Sequence, residues 1–577
     1  MRIARLPLLL LSLALTASSV IHAQEADEII DRMVDAERVV LDRVKTSRPL
    51  METYIQNLAP DDARGWIPTD DNYFLGQFHY GDTPALRPLG RREPKKLMVR
   101  VLGSSTPDLG DAFATMVTPD WRLLERKRYQ FKYIRREFLG ESRCFVFDVK
   151  PLHENARDAF VGRIWIEDRD FTLVRFNGIN HRTDQTLSSL FKQSLSLHVD
   201  GWRVNVSPAV WVPSYLYSEE TDLSGATSSS SQRRARFKSQ TRIWGYQAQG
   251  ADSAGSLTTI RIDEPNVADA SDAAAQLSPV LSQRRWEQEA EANVLERLES
   301  AGLLAPAGEA DTILETVLNN LVVTNALNFD RPLHCRILLT SPLESFTVGR
   351  TIVLSRGLID VLPDEASLAT MLAHELSHVV LGHPLIDTKF AFADRLMIAD
   401  GELLQTLQFH RTPQEEAAAD DKVIELLGKS PYRDKLADAG LFLRTVADRA
   451  KQLPHLIHPH IGDYVAANGQ TRLAELMQKA PALMPDNLDQ IAALQLGARL
   501  VVDPWSGKLA IDRTPAVPLT SVREKVPFAV TPLMPVIRYA GAPDIRLESP
   551  KSGGPDEVEN TRARGRALHA AAGQRRP

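Results

Sequence analysis

The 577-residue chain is too long for one ordinary hydrophobic core, and its 43% hydrophobic and 25% charged residues describe folded globular domains rather than a disordered polymer. A formal net charge of -6, with no strongly basic domain or helix, leaves no electrostatic footprint for a nucleic-acid partner. Two or three domains are expected.

The chain opens on a basic Met1-Arg-Ile-Ala-Arg5, an apolar run over 6–15, and Ile21-His22-Ala23 before Gln24. This is the pattern of a secretory signal peptide over 1–23. The run falls short of the roughly 20 apolar residues that a membrane span needs. No cysteine follows it to carry a lipid, and no later stretch is apolar enough to cross a bilayer. The mature chain is therefore expected to be periplasmic or secreted and not integral to the membrane. Its two cysteines, Cys144 and Cys335, are too few to hold zinc by themselves. In an oxidising compartment they either pair or stand as separate half-buried thiols.

From 25 to 45 the pattern is a charged amphipathic helix, EADEIIDRMVDAERVVLDRV. Strands are then expected over 51–58, 72–80, 96–102, 130–137, 144–150, 163–166, 172–177, 202–206 and 236–246. Apolar and polar residues alternate in many of them, with Trp165, Phe176, Trp202, Trp211 and Trp244 among the aromatics, as in half-buried antiparallel strands. Residues 25–265 thus read as a curved, largely antiparallel sheet. The wording FLGESRCFVFDVKP, GRIWIEDRDFTLVRFNG and FKSQTRIWGYQ resembles the periplasmic lipoprotein-carrier proteins. That resemblance implies a half-open barrel over an apolar groove, with lipoproteins or outer-membrane proteins as partners.

A Ser-rich loop is expected over 218–234 and a linker over 266–283, where Ala, Asp and Ser crowd together. Helices follow over 284–303 and 311–327, then strands over 335–340 and 350–354, and a short segment over 356–362. The stretch 364–381 is the centre of the second half. Pro363 and Asp364 mark a helix start, Leu368, Met371, Leu372, Val379 and Val380 supply apolar neighbours, and Gly382 with Pro384 marks the stop. Within it lies His374-Glu375-Leu376-Ser377-His378. Residues four apart sit one turn above each other, so His374 and His378 can present two imidazole nitrogens to one metal ion. Glu375, about 100° round the helix, can reach a water at the metal rather than the metal itself.

A catalytic zinc usually takes three protein ligands and keeps one position open. QEEAAADDKVIELL offers the third, because Glu416, Ala419 and Asp420 share one helix face. Glu416 can ligate the metal, and Asp420 can accept a hydrogen bond from the free ring nitrogen of a ligand histidine. Glu415 competes as ligand, but Ala419 rather than an acid stands four residues after it.

The run SRGLIDVLPDEASLATMLAHELSHVVLGH with the later EEAAAD resembles the zinc peptidase family of the CAAX prenyl proteases and the HtpX heat-shock proteases. The resemblance covers about 285–476 and places the family's elements on Gly357-Leu358, on His374 to His378, on His383, and on Glu416, Ala419 and Asp420. It implies a gluzincin domain over 284–480 with one zinc per chain. His383 would cap or line the site from beyond the Gly382 turn. Three features depart from the family pattern. Glu344-Ser345-Phe346 stands where an Asn-Ala strand pairs with substrate, Arg411 is displaced from the distal Glu, and His458-Pro459 is followed by Arg only at Arg472.

The expected chemistry is peptide hydrolysis, with zinc on His374, His378 and Glu416, and Glu375 as general base. His458, with Tyr464 as alternative, would steady the oxyanion. The segment 390–407 is interrupted by Asp394, Arg395, Asp400 and Glu402, which favours a surface helix or an active-site flap over a membrane hairpin. A hairpin over 499–502 and 508–511 lies in a C-terminal extension, 481–546, and a disordered tail over 547–577 closes the chain.

The fold class is therefore α+β and multidomain, a half-barrel-like antiparallel sheet followed by a mainly helical zincin domain with a small sheet. The function expected is an extracytoplasmic zinc endopeptidase acting on protein or peptide substrates in envelope quality control. The alternative is a lipid- or lipoprotein-binding or chaperone module with subsidiary peptidase activity.

Overall fold

The computed structural model describes residues 6–61, 65–80, 85–89, 124–139, 142–153, 159–182, 195–220, 236–246, 279–362, 364–383, 409, 411–457, 466–467, 470–480, 482, 500–502 and 509–511. The expected strand over 96–102, the segment 390–407 and the tail lie outside them.

Helix α1, Leu6–Val44, runs without a break through the leader-like stretch into the amphipathic segment. Its Ile29, Ile30, Met33, Val34, Val40 and Val44 recur at helical spacing and are buried. They pack on one face of a large sheet, against Met51, Ile55, Phe147, Ile164, Phe176, Val199, Val212 and Phe237. Within that apolar layer Arg203 donates to both carboxylate oxygens of Glu37 at 2.7 Å, and Leu173 N donates to one of them. An Arg203→Ala variant would leave the Glu37 carboxylate buried without its cation, so unfolding by urea should show a loss of about 3–5 kcal/mol. A loss below about 1 kcal/mol would mean that the pair behaves as a surface ion pair.

The sheet has ten strands: β1 Leu50–Asp61, β2 Gly65–His79, β3 Ala85–Pro88, β4 Tyr129–Leu139, β5 Ser142–Pro151, β6 Ala159–Glu167, β7 Leu173–Arg182, β8 Leu195–Ser207, β9 Val210–Glu220 and β10 Arg236–Trp244. The order is β3-β2-β1-β10-β9-β8-β7-β6-β5-β4, antiparallel throughout and open at both ends. Two meanders are thus joined where β1 meets β10, with Thr53 opposite Thr241. The α1 face alternates with a second face on which Cys144, Val146, Trp165, Val174 and Trp211 cluster. β9 answers to no expected strand, and its last residues, 218–220, fall in the stretch expected as a Ser-rich loop. Arg203 pairs with Pro213 and Trp202 with Tyr215, so a bulge falls at Ser214, and β10 pairs with β9 only from Tyr215 onward. Pro213 therefore sits where no further strand asks for its missing N–H.

The second half begins with α2, Pro279–Ser300, and α3, Glu309–Thr324. Strands β11 His334–Leu338, β12 Ser345–Val348 and β13 Thr351–Ser355 form a sheet in the order β11-β13-β12. Gly349, at φ +59°, turns the β12–β13 hairpin, a conformation that favours glycine. Then come α4 Arg356–Val361, α5 Glu365–Leu381, α6 Pro413–Gly428, α7 Leu436–Arg449, α8 Pro454–Ile457 and α9 Ala474–Lys479. The short ladder of β14 (Ala466–Ala467) with β15 (Gln470–Thr471) precedes α9, and β16 (Leu500–Val502) pairs with β17 (Leu509–Ile511) as the expected hairpin.

The two halves share one hydrophobic core. Leu50, Leu75 and Trp244, from the face of the large sheet opposite α1, meet Val294, Leu298, Leu303, Leu304, Phe346, Val353 and Phe409. Trp244 Nε1 also donates to Gly302 O at 2.7 Å. The expected architecture, an open antiparallel sheet followed by a helical region with a small sheet, is the one that forms. Cys144 and Cys335 are both buried and unbonded to each other, and burial pushes the Cys144 thiol up to about 12. No helix among the described residues is long and apolar enough to cross a membrane.

Candidate metal centre

Helix α5 is fixed at both ends by local chemistry. Asp364 caps its N-terminus by accepting from Ser367 N at 2.7 Å, and Gly382 leaves it in the left-handed region at φ +70°. Between them Ala366 to His378 are nearly all buried, packed against α3, α6, α7 and the small sheet. The four-residue spacing puts the His374 and His378 rings 4.8 Å apart, with their Nε2 atoms separated by 3.1 Å.

Helix α6 brings the carboxylates. Its start is a capping box: Thr412 Oγ1 accepts from Glu415 N, while Glu415 Oε2 accepts from Thr412 N at 2.9 Å and from Thr412 Oγ1 at 2.8 Å. Glu415 is thereby turned back on its own helix end. Glu416, one residue on, faces α5, with Oε2 3.2 Å from His374 Nε2 and Oε1 3.8 Å from His378 Nε2. Ala419 is fully buried between the helices, and Asp420 lies a turn further along. Asp420 Oδ1 stands 3.2 Å from His374 Nδ1, and its Oδ2 accepts from Leu473 N at 2.9 Å.

The ligand atoms of His374, His378 and Glu416 all lie within 4.8 Å of one another. Both Glu416 oxygens are buried without an aligned hydrogen bond, although Arg472 Nε is 3.0 Å from Oε2 at ion-pair distance. The contact of His374 Nδ1 with Asp420 is likewise close but off hydrogen-bond alignment. Acceptor atoms converging in a buried place are costly unless a cation or protons stand among them. Two imidazoles and a carboxylate are the donor set of a catalytic zinc, which takes three protein ligands and a water.

The electrostatics agree with that fit. Burial and the Arg472 guanidinium oppose a proton on His374, but Asp420 and Glu416 outweigh them and lift its pKa to about 9. His378 is driven far below the usual imidazole range, by burial first and then by positive His374 and Arg411. Burial works against the Glu416 carboxylate, yet Arg472 and His374 hold its pKa below the ordinary value. The site therefore keeps an ionised carboxylate beside a positive His374 and a neutral His378, with a proton on His374 supplying the positive charge that a metal cation would otherwise bring.

Glu375 is fully buried, and its carboxylate turns to β12, where Ser345 Oγ donates to Oε1 at 2.6 Å and Thr347 Oγ1 to Oε2 at 2.7 Å. His383 meets His378 through their Nδ1 atoms at 2.9 Å, one donating to the other. Arg411 reaches β12 by donating to Thr347 O at 3.1 Å. The structure thus brings together His374, Glu375, His378, Glu416 and Asp420. His458 and Tyr464, the two candidates for oxyanion support, lie outside the described residues. Sequence reasoning did not foresee Ser345 and Thr347 on Glu375, or Arg472 on Glu416. Ser345 and Thr347 are two apart on a strand and so share a face, a signal that was open to reading.

Residues 311–429 match the family described as peptidase family M48. That segment is an M48 peptidase domain. It spans α5 and α6 and so contains all three atoms sets of the His374, His378 and Glu416 cluster. No curated protein matches the chain. Solved structures similar to it include a domain described as that of an outer membrane lipoprotein-sorting protein, from Vibrio parahaemolyticus, at 10% identity and TM-score 0.20, covering 39% of this chain and 96% of that one. A LolA superfamily protein from Nitrosomonas europaea is 9% identical with TM-score 0.18, covering 37% and 94%. A DUF1329 family protein from Desulfovibrio piger is 9% identical with TM-score 0.17, covering 39% and 95%. The sheet's architecture rests on its own strand order.

Proposed function

We propose that the chain is a zinc-dependent endopeptidase that hydrolyses peptide bonds of proteins outside the cytoplasm, in envelope protein quality control. The observation that carries this reading is the convergence of His374, His378 and Glu416 within an M48 peptidase domain. His374, His378 and Glu416 would hold the metal. When bound, zinc supplies Lewis acidity to water and to a substrate carbonyl.

The chain's own groups do the rest. Glu375, next to His374 on α5 and outside the ligand cluster, takes the proton of the attacking water and returns it to the leaving amine. Asp420, beside His374 Nδ1, holds the ring in the tautomer that leaves Nε2 its lone pair, and His383 does the same at His378 Nδ1. Arg472 keeps Glu416 turned inward and ionised. The leader-like stretch over 1–23 supports an envelope setting.

A carrier role for the large sheet is the second reading. It needs an apolar ligand on the α1 face, yet the described side chains there are buried beneath α1. A lipid would have to displace a helix locked by the Glu37–Arg203 pair, so the peptidase reading is favoured.

Metal removal tests the function directly. The full chain stripped by a chelator should lose casein hydrolysis and regain it on addition of about one zinc per chain. Hydrolysis that survives complete metal removal would overturn the reading.

A further inference from the structure

The strand that holds Glu375 is itself held from the large sheet. The 340–344 loop runs straight into β12, and its bonds leave little freedom. Thr340 Oγ1 donates to Glu344 Oε1 at 2.6 Å, Ser355 Oγ to Pro342 O at 2.6 Å, and Ser355 N to Glu344 O at 2.9 Å. Gly357 N donates to Thr340 O at 3.0 Å, and a Cβ on Gly357 would stand 1.8 Å from Ser341 O. Glu52 of β1, 1% exposed, accepts from Ser341 N at 2.6 Å, from Ser341 Oγ at 2.8 Å and from Tyr73 OH at 2.7 Å. Arg242 of β10 donates to the same Ser341 hydroxyl at 3.0 Å.

A second anchor reaches the loop through α8. Asp71 of β2, fully buried, accepts from His455 N at 3.0 Å, from His455 Nδ1 at 2.9 Å and from Leu456 N at 2.9 Å. Leu456 O in turn accepts from Leu343 N at 2.7 Å. Two carboxylates of the large sheet therefore clamp the loop that leads into Ser345 and Thr347. Glu52, Asp71, Ser341 and Glu344 are buried and Tyr73, Arg242 and His455 partly so, and such a network, with its acceptors filled, holds the loop in one arrangement.

We propose that the large sheet is a positioning element of the peptidase centre, with Glu52 acting through Ser341 and the 340–344 loop to seat Ser345 and Thr347 on the Glu375 carboxylate. This rests on the reading of Glu375 as general base. A base displaced by a fraction of an ångström from its working position costs rate without weakening substrate binding. Glu52 and Asp71 touch no reacting atom; they are positioning residues.

The test is steady-state hydrolysis of a fluorogenic peptide by the full chain, with zinc content and Tm measured on every sample. Glu52→Gln should fold, keep its zinc and its KM, and lose kcat by about 10- to 100-fold. Ser345→Ala should lower kcat as well. The Glu52→Gln/Ser345→Ala double variant should fall no further than the slower single variant, because both changes act on one carboxylate. If Glu52→Gln does not fold, Ser341→Ala takes its place, since it removes one hydroxyl and keeps the backbone anchor. Phe138→Ser, at a 68% exposed position on the far edge strand β4, should leave kcat unchanged. A folded, zinc-loaded Glu52→Gln with wild-type kcat, or losses that multiply in the double variant, would reduce the network to a domain interface and overturn the proposal. A wild type no faster than Glu375→Gln would overturn the peptidase reading itself, and the positioning role with it.

Discussion

A Glu375→Gln variant keeps its zinc and hydrolyses casein more slowly by about 100- to 10,000-fold, the span of general acid–base catalysis by one positioned group. The substitution is nearly isosteric, and Glu375 is fully buried, so volume is conserved in a closed site. Ser345 and Thr347 both donate to the wild-type carboxylate. With an amide in its place one hydroxyl keeps its acceptor and the other turns to accept from the new NH2 group, so no polar atom is orphaned. The ligand atoms belong to His374, His378 and Glu416, which leaves metal content untouched. Only the proton transfer is lost. Zinc analysis beside a casein digest checks both halves, and proteolysis at the wild-type rate would remove Glu375 as the base.

Much of the fold was open to reading because its signals are local. The helix of the motif declares itself through the Asp364 cap, the apolar spacing and Gly382, and the structure puts its ends at Glu365 and Leu381. Most strands of the large sheet show alternation on at least part of their length. What stayed hidden depends on partners far away in sequence. The pairing of β1 with β10 joins residues such as Thr53 and Thr241, and nothing in either strand names the other. β9 was obscured by Pro213, whose fit depends on a bulge and on where β10 stops. Glu52 and Asp71 read as the polar face of half-exposed strands, whereas they lie buried and bonded to Ser341, His455 and Leu456 of the peptidase half. A polar stripe looks the same in sequence whether it meets water or a second domain.

The centre divides in the same way. His374 and His378 follow from helical spacing alone. Glu416 was preferred over Glu415 for the acid four residues on, and a further local reason was present: Thr412-Pro-Gln-Glu415 is a capping-box pattern, and the box occupies Glu415. Ser345, Thr347 and Arg472 were not placed, because a hydroxyl on a strand or an arginine before a short helix carries no mark of what it will touch.

Glu416 and Glu415 are therefore neighbours with opposite expected effects. Glu416→Gln removes the anionic ligand and leaves two imidazoles near the Arg472 guanidinium, 3.0 Å from the place of the lost charge. Repulsion then replaces attraction around the ion, and zinc binding should collapse along with hydrolysis. Glu415→Gln touches only the helix start, where its carboxylate accepts from Thr412 N and Oγ1. Gln fits the same capping box, so the cost should be confined to the charge lost at the helix start, about 0.3–1 kcal/mol of stability. Zinc per chain, measured by mass spectrometry of the metals after dialysis, separates the two. Wild type and Glu415→Gln should each retain about one zinc per chain while Glu416→Gln retains almost none; full zinc in Glu416→Gln, or its loss from Glu415→Gln alone, would contradict a metal centre built on His374, His378 and Glu416.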